Sequence, residues 1–373
     1  MRTGDSIARE MEFDFIFLMT TLALLVMGTI MIFSASYFVS KELCGSSIYL
    51  MKKHLAHLLI GTIFMVGIMK IDYRRFNSRP FILLLLVFAI GALIGCFIPG
   101  IGLTGGHAKR WVHISSFNFQ ASELVKVALI FYLASYLTKK GKRIEDFSYG
   151  ILPALVIVGF CALLIFIEPD FGTAATIGVW AVAVMFIAGM RWKHLLFMFL
   201  AGLPLGVLMM ILEPYRRARL LAFINPWEDM QGIGYQIIQS LVAFANGGFI
   251  GSGLGESTQK LFFLPAPHTD FILSVLGEEL GFIGIGVVIT LFGTWIWRGL
   301  SIATATNDSF GFYLVVASVC LIGLQAVINM GVAMSVFPTT GIALPFLSYG
   351  GSTLVTTMMI SGIILSVSRR ARL

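Results

Sequence analysis

The sequence predicts an all-α polytopic membrane protein with ten transmembrane helices and a long outer loop between helices 7 and 8. Three observations predict this fold. Apolar residues make up 58% of the 373-residue chain and charged residues only 12%, about half the charged share of a typical soluble protein. The apolar residues fall into ten runs, each close to the ~20 residues needed to cross a bilayer. Lys and Arg concentrate in alternate connecting segments, as they do in multi-pass proteins.

The ten predicted spans follow one another along the chain, with connections of very different length. They cover residues 15–37, 54–71, 80–98, 121–138, 150–167, 171–190, 194–212, 271–297, 309–335 and 342–367. Only Glu168, Pro169 and Asp170 separate the fifth and sixth spans, which predicts a tight hairpin. Pro345 and the polar run 348–352 interrupt the tenth span. Such breaks face a cavity or another helix, because freed backbone groups cannot face lipid.

The whole chain, residues 1–373, is predicted to form one membrane domain with tails at 1–14 and 368–373. The first tail mixes acids with Arg2 and Arg9, unlike a signal peptide, so we expect the first span to be retained. The segments on the side of the termini are the richer in Lys and Arg, which places both termini in the cytoplasm. The net charge of +7 is therefore an orientation signal, and no basic tract suggests nucleic-acid binding.

Two connecting segments, 99–120 and 213–270, are predicted as large outer loops. The second is too long for a structureless connection within a compact domain. Residues 235–249 are apolar and aromatic with interspersed polar residues. This pattern predicts an amphipathic helix that lies on the membrane surface or re-enters it.

Several classes of chemistry lack support in the sequence. The four Cys and six His show no disulfide or metal-ligand spacing. Phosphate-binding, dinucleotide-binding and serine-hydrolase motifs are absent. Two classes remain open at this point: an enzyme that acts on a membrane lipid, and a transporter whose acids relay ions.

Three acids mark the start of the eighth predicted span: Asp270, Glu278 and Glu279. A carboxylate at the bilayer centre costs roughly 2.5–3.5 kcal/mol or more, so a partner or a reaction must keep it there. Asp270 follows His268 and Thr269, and could cap the helix or act as a general base on a lipid-linked substrate. The cap interpretation leaves Glu278 and Glu279 unexplained.

Further charged residues are predicted at the outer side. Glu123 and Lys126 share one helix face, as a structural ion pair or as a charged cavity wall. Four cations could bind lipid headgroups or a pyrophosphate; they are Lys109, Arg110, Arg216 and Arg219. Glu168 and Asp170 could form a solvated, capped hairpin, pair with these cations or help to hold a divalent cation. Spacing alone defines no metal site.

Taken together, these motifs resemble the SEDS (shape, elongation, division and sporulation) family. The matching elements include Gly-His-Ala-Lys-Arg-Trp at 106–111, Gln-Ala-Ser-Glu-Leu-Val-Lys at 120–126 and Glu-Pro-Asp-Phe-Gly-Thr at 168–173. Others lie at 219–229, 234–240, 253–255, 268–271, 278–281 and 338–352. Ala266-Pro267 and Ala121 depart from the usual family residues, but no charged site residue is lost.

The resemblance implies a peptidoglycan glycosyltransferase that polymerises lipid II at the outer face of the bacterial plasma membrane. It implies ten spans (the SEDS fold), with the essential acid at Asp270 and a charged cavity pair at Glu123 and Lys126. His268 and Ser348 belong to matching motifs and are assigned to the same cavity. Glu168, Asp170, Glu278 and Glu279 are assigned supporting roles.

The reaction expected from this resemblance is an inverting glycosyl transfer. Asp270 removes the proton of the acceptor hydroxyl, and undecaprenyl pyrophosphate leaves the donor. Arg216, Arg219 and Lys109 or Arg110 stabilise the growing charge on that leaving group. No cofactor is assigned, and Mg²⁺ or Mn²⁺ is the candidate cation at the pyrophosphate.

Residues 225–229, 257–260 and 338–341 favour the cell-division branch of the family, and hence a role at the septum. A polymerase of the elongation branch is the alternative within the family. A lipid II flippase is the transporter alternative, and a non-catalytic scaffold would leave the buried acids unexplained. The expected partners are a class B penicillin-binding protein, which is a transpeptidase, other divisome proteins and membrane lipids.

Overall fold

The computed structural model describes residues 13–100, 102–105, 108–114 and 117–371. Within these residues the chain forms twelve α-helices and one three-stranded antiparallel sheet. The first helices and the strands are α1 (Phe15–Cys44), α2 (Tyr49–Lys70), α3 (Arg79–Gly95), β1 (Gly102–Gly105), β2 (Ala108–Ile114), β3 (Phe117–Gln120) and α4 (Ala121–Lys140). The remaining helices are α5 (Leu152–Ile167), α6 (Phe171–Ile187), α7 (Trp192–Leu212), α8 (Pro214–Ile224), α9 (Ile233–Gly247), α10 (Ile272–Ala305), α11 (Ser309–Ala333) and α12 (Gly351–Ser368).

The predicted polytopic helical fold is confirmed. Among the described residues, eight helices are long and apolar enough to cross a membrane: α1, α2, α4, α5, α7, α10, α11 and α12. Two further apolar helices, α3 and α6, are shorter, with 17 residues each. They coincide with the third and sixth predicted spans, so the count of ten spans stays a prediction.

The centre of the bundle is formed by α4, α10, α11 and α12, and α12 packs along α2. Glycines allow α2 and α12 to approach closely. A Cβ atom at Gly362 would lie 2.6 Å from the carbonyl oxygen of Met65, which is a clash. Small residues at such crossings strengthen helix packing in lipid. In contrast, no described side chain of α7 is buried, so α7 lies at the periphery.

The outer segment 99–120 contains the β-sheet, which the sequence analysis did not predict. Its central strand β2 pairs with β1 and with β3, and Trp111 lies opposite Leu103 on one side and Gln120 on the other. Aromatic and β-branched residues such as Trp111 and Val112 favour strands, and Val112 is buried. Because β3 continues directly into α4, the sheet fixes where α4 begins.

The predicted amphipathic helix of the second outer loop is confirmed as α9. Its buried residues, which include Ile237, Ser240, Ala243 and Gly247, follow helical spacing and face α10. Its place at the membrane surface stays a prediction. The sequence analysis did not predict the preceding helix α8, which carries Arg216 and Arg219.

The sequence predicted a tight hairpin between the fifth and sixth spans and an interruption within the tenth span. The hairpin is confirmed, because α5 ends at Ile167 and α6 begins at Phe171. The predicted interruption of the tenth span is confirmed, because residues 342–350 are not helical. Its helix α12 begins only at Gly351, later than the predicted start at residue 342. Pro345 lacks a backbone donor, and Phe346 adopts a positive φ of 64°, so the chain cannot form a regular helix there.

Candidate active site

Asp270 lies at the end of the long outer loop, immediately before α10. The N-cap of α10 is Phe271, and no side chain caps this helix. The capping interpretation of Asp270 is therefore wrong. Its carbonyl oxygen accepts a hydrogen bond from Asn329 Nδ2 at 2.8 Å, and the residue as a whole is half-buried. The backbone is thus held, while the carboxyl group caps no helix.

Burial and the neighbouring cations shift the pKa of the Asp270 carboxyl group in opposite directions. Burial raises its pKa above the ordinary aspartate value, and the charge of Asp170 acts in the same direction. The guanidinium groups of Arg219 and Arg110 act in the opposite direction. A carboxylate with a raised pKa is a stronger base, which suits the removal of a hydroxyl proton.

Arg219 and Arg216 project from α8. Arg219 donates from Nη1 to the carbonyl oxygen of Thr339 at 3.1 Å, and its guanidinium lies 4.6 Å from the centre of the Tyr215 ring. The Arg216 guanidinium lies 4.4 Å from the centre of the Phe166 ring and 5.4 Å from that of Phe171. Both cations are thus held against aromatic rings, Arg216 beside the α5–α6 hairpin and Arg219 beside Tyr215 of its own helix.

Arg110 connects the β-sheet to the hairpin. It donates to the carbonyl oxygens of Glu168 and Pro169, and its Nε lies 3.7 Å from Asp170 Oδ2. Asp170 caps α6 by accepting from Thr173 N at 3.2 Å. The predicted pairing of the hairpin with an outer cation is confirmed, but both acids are buried, so the hairpin is not solvated. Lys109 lies in β2, and its side chain is outside the described part of the structure.

Glu168 is almost completely buried, at 1% exposure. Its Oε1 atom has no hydrogen-bond partner among the described residues. Burial raises the pKa of Glu168 to about 8, and the hydrogen bond from Cys96 and the charge of Arg110 offset only part of this effect. Near neutral pH this side chain is therefore mostly protonated and uncharged.

The predicted pairing of Glu123 with Lys126 is confirmed. Lys126 Nζ lies 2.7 Å from Glu123 Oε1, and both side chains are buried. Thr353 donates to the same carboxylate oxygen at 2.9 Å, and Ser352 Oγ accepts from the backbone of Gln120 at 3.0 Å. Neither hydroxyl group was predicted as a site residue, although the interruption at 348–352 was expected to face a cavity or another helix.

A small cavity of about 50 Å³ adjoins the Glu123–Lys126 pair. Its lining combines the end of β3, α4, α6, α11, α12 and the segment before α12. It includes Gln120, Glu123, Lys126, Thr173, Thr176, Gln325, Gly341 and Thr353. A Cβ atom at Gly341 would lie 3.6 Å from Asp270 Oδ2. Gly341 therefore adjoins both the cavity and the carboxyl group of Asp270.

His268 and Ser348 hold the Asp270 loop against the segment before α12. The His268 carbonyl oxygen accepts from Tyr349 N at 2.8 Å, and the two rings are 5.5 Å apart in an edge arrangement. Burial lowers the pKa of His268 to about 4, so this ring is neutral near pH 7. Ser348 Oγ donates to the carbonyl oxygen of Thr269 at 2.7 Å. In this structure, both residues position the loop.

Glu278 and Glu279 lie on α10 with partners of their own. Glu278 accepts hydrogen bonds from residues 257–259. Glu279 forms a buried ion pair with Lys260 at 2.8 Å. This ion pair was not predicted from the sequence, since the acid and the lysine are 19 residues apart.

No cluster of three or more His, Cys, Asp or Glu side chains suited to a metal ion occurs among the described residues. Asp170 and Asp270 lie near each other, but Asp170 already caps α6 and faces Arg110. The residues described do not by themselves form a site for Mg²⁺ or Mn²⁺, so that assignment stays a prediction.

The fold and the charged cavity define a polytopic membrane protein of the SEDS type. Residues 15–373 match the family described as Cell cycle protein, which comprises FtsW, RodA and SpoVE. The chain is 42% identical over 372 residues to the probable peptidoglycan glycosyltransferase FtsW of Geobacter metallireducens, covering 98% of this chain and 97% of that protein. It is 41% identical over 359 residues to stage V sporulation protein E of Bacillus subtilis, covering 96% and 98%. The chain belongs to the FtsW/RodA/SpoVE family.

Solved structures share this fold. One is a chain from work on the structural coordination of polymerization and crosslinking by a peptidoglycan synthase complex. It aligns with a TM-score of 0.77 at 27% identity, covering 96% of this chain and 98% of that one. The rod shape determining protein RodA of Thermus thermophilus aligns with a TM-score of 0.67 at 23% identity, covering 97% and 98%. The second similarity concerns the fold alone.

Proposed function

We propose that this protein is a peptidoglycan glycosyltransferase that polymerises lipid II at the outer face of the plasma membrane. The observation that carries the proposal is the setting of Asp270. Its carboxyl group is uncommitted to helix capping, has a raised pKa, and lies within electrostatic range of Arg219 and Arg110. Relatives named as probable peptidoglycan glycosyltransferases align over nearly the whole chain.

In the proposed reaction, Asp270 accepts the proton of the 4-hydroxyl of the terminal GlcNAc of the acceptor lipid II. The hydroxyl oxygen attacks the anomeric carbon of the donor MurNAc with inversion. A new C–O bond forms as the bond to the pyrophosphate breaks, and undecaprenyl pyrophosphate leaves with the electron pair. Negative charge grows on this leaving group in the transition state, where fixed cations have most effect.

Arg219 and Arg110 are the cations best placed for this role, with Arg216 and Lys109 as further contributors. The hairpin carbonyls and Asp170 orient Arg110, and uncharged Glu168 adds no negative charge to oppose the pyrophosphate. Glu123 and Lys126 shape the polar cavity that Gly341 also lines. No step of this reaction is routed through a metal ion.

The same proposal includes a cellular setting. We place the chain as one membrane domain, residues 1–373, in the bacterial plasma membrane with both termini cytoplasmic. Relatives named FtsW favour a role in septal synthesis during cell division over an elongation role. A class B penicillin-binding protein is the proposed partner, since a similar chain comes from a complex that coordinates polymerization with crosslinking.

The test is polymerisation of purified lipid II by the wild-type protein and by Asp270→Asn, each with its class B partner present. We expect glycan strands from the wild type and a loss of about 10²–10⁴-fold in the variant, the range typical of a missing general base. Glu256→Gln is a matched control, because Glu256 is exposed on the same outer loop.

Two outcomes would contradict the proposal. Full polymerisation by Asp270→Asn would move the base elsewhere. Lipid II translocation without any glycan, from folded and partner-bound wild type, would favour a flippase.

A further inference from the structure

The long helix α10 is irregular near its outer end. Gly281 has φ 64° and ψ −163° inside the helix, a conformation open mainly to glycine. The outer loop compensates for the broken helical hydrogen bonds. Ser252 N donates to the carbonyl oxygen of Glu278 at 2.9 Å, and Phe282 N donates to that of Gly248 at 3.0 Å. The loop backbone is thus built into the helix at this point.

The Glu278 side chain fastens a second part of the loop. Its carboxylate accepts from the hydroxyl groups of Ser257 and Thr258 and from the backbone of residues 258 and 259. This carboxylate therefore organises the turn that leads directly into Lys260. Hydrogen bonds to an ionised acceptor are stronger than those between neutral groups.

Lys260, Glu279 and Ser34 form a buried three-part contact. Lys260 Nζ lies 2.8 Å from Glu279 Oε1 and 3.0 Å from Ser34 Oγ. Ser34 in turn donates to Glu279 Oε1 at 2.5 Å. Lys260 is 3% exposed and Glu279 is 1% exposed. The contact joins three elements that are remote in sequence: α1, the outer loop and α10.

Asp270 lies midway in sequence between the two members of this ion pair. The segment from Lys260 to Glu279 comprises the end of the outer loop and the first two turns of α10, and the ion pair joins its two ends. On the far side, the loop is held by Ser348, Tyr349 and Asn329. Two sets of contacts therefore flank the candidate base. One set joins residues 268–270 to α11 and to the segment before α12, and the other is the Lys260–Glu279 ion pair near the irregularity of α10.

We propose that Lys260 and Glu279 are positioning residues for Asp270, and that Ser34 couples their ion pair to α1. This inference rests on the proposed glycosyltransferase function. Lys260 neutralises a carboxylate that has no hydrogen-bond partner for its second oxygen, Oε2, among the described residues. Removal of either charge leaves the other buried and uncompensated. The end of the outer loop is then no longer tied to α10, and the Asp270 carboxyl group is no longer held in its position.

The test combines two measurements on the full-length protein in detergent. Hydrogen exchange reports how firmly residues 257–271 are held, whether or not the protein is active. Polymerisation kinetics with the partner present report kcat and KM separately. The variants are Lys260→Met, Lys260→Arg, Ser34→Ala and the exchanged pair Lys260→Glu with Glu279→Lys. The exposed Glu256→Gln on the same loop is the matched control.

We expect Lys260→Met to speed exchange across residues 257–271. Its kcat should fall by about 10²-fold with KM little changed, since small misplacements of a reacting group have effects of this size. Lys260→Arg and the exchanged pair should restore much of the slow exchange and much of kcat. Ser34→Ala should give exchange rates and a kcat between those of the wild type and Lys260→Met. The control should match the wild type.

Three results would overturn the inference. The first is faster exchange with unchanged kcat, which would make the ion pair purely structural. The second is unchanged exchange in Lys260→Met. The third is failure of both conservative replacements to restore kcat in protein that still unfolds cooperatively. If the wild type makes no glycan, the proposed function fails, while the exchange data still decide whether the ion pair ties the end of the outer loop to α10.

Discussion

The side-chain amide of Asn329 bridges two backbone carbonyls, donating to Asp270 at 2.8 Å and to Ile342 at 2.7 Å. One residue of α11 thereby fixes the candidate base relative to the segment that lines the cavity. Asn329 is itself buried, at 1% exposure. The alignment of Asp270 with the cavity therefore depends on a residue that carries no charge.

Asn329→Ala should lower both stability and kcat. Two buried carbonyl groups would lose their donor, at a cost of about 1–3 kcal/mol for each unsatisfied group. Thermal unfolding and polymerisation kinetics check this prediction. Asn307→Ala, at an exposed position between α10 and α11, should leave both unchanged. Unaltered kcat in folded Asn329→Ala would show that the bridge does not align Asp270.

Arg219→Ala should reduce kcat by about 10²–10³-fold, the usual effect of removing one group that stabilises transition-state charge. Arg219→Lys should recover only part of the loss, because lysine cannot bind a pyrophosphate in a bidentate manner. Arg217→Ala provides the control, since Arg217 lies on the same helix with its side chain exposed. Equal losses in Arg217→Ala and Arg219→Ala would indicate a general effect of charge on α8.

Glu123→Gln and Lys126→Met should each destabilise the protein by about 3–5 kcal/mol, because each leaves one buried charge without its partner. The double variant should be less destabilised than the sum of the two. A double-mutant cycle on unfolding free energies measures the coupling. Additive effects would contradict a direct interaction between the two side chains.

The stability of the protein should fall as pH rises from about 5 to 9, in part because of Glu168. Its pKa is raised by burial to about 8, so the folded state retains a proton that the unfolded chain releases near pH 4.5. This contribution is present at low pH and is lost as pH passes through the folded pKa. Glu168→Gln should flatten the unfolding temperature across this range, and an unchanged profile would contradict a buried, protonated Glu168.

Asp270→Asn should lose most of its activity, and its stability relative to the wild type should increase as pH rises. The pKa of Asp270 is raised mainly by burial, so ionisation of this group opposes folding as pH rises. Removal of the charge removes that opposition. Unfolding temperatures at two pH values measure the effect, and a relative stability that falls as pH rises would show that the carboxylate stabilises the fold.

Sequence patterns predicted the helices well, since long apolar runs have few alternative structures in a membrane protein. The contact between Glu123 and Lys126 was also predictable, because their spacing on one helix places them on the same face. The β-sheet was not, as its strands are short and contain glycine and polar residues. The ion pair between Lys260 and Glu279 was not predictable either, because these residues are distant in the sequence and meet only in the folded protein.

The last helix, α12, begins at Gly351, inside the site. Its first turn lies beside Glu123, where Ser352 and Thr353 form hydrogen bonds to the start of α4. The first residues of any helix carry unpaired N–H groups and a partial charge of about +0.5. That charge belongs to the backbone and appears in no count of Lys and Arg. The electrostatic potential of the cavity is accordingly more positive than its ionisable side chains suggest, and replacing those side chains would leave part of it in place.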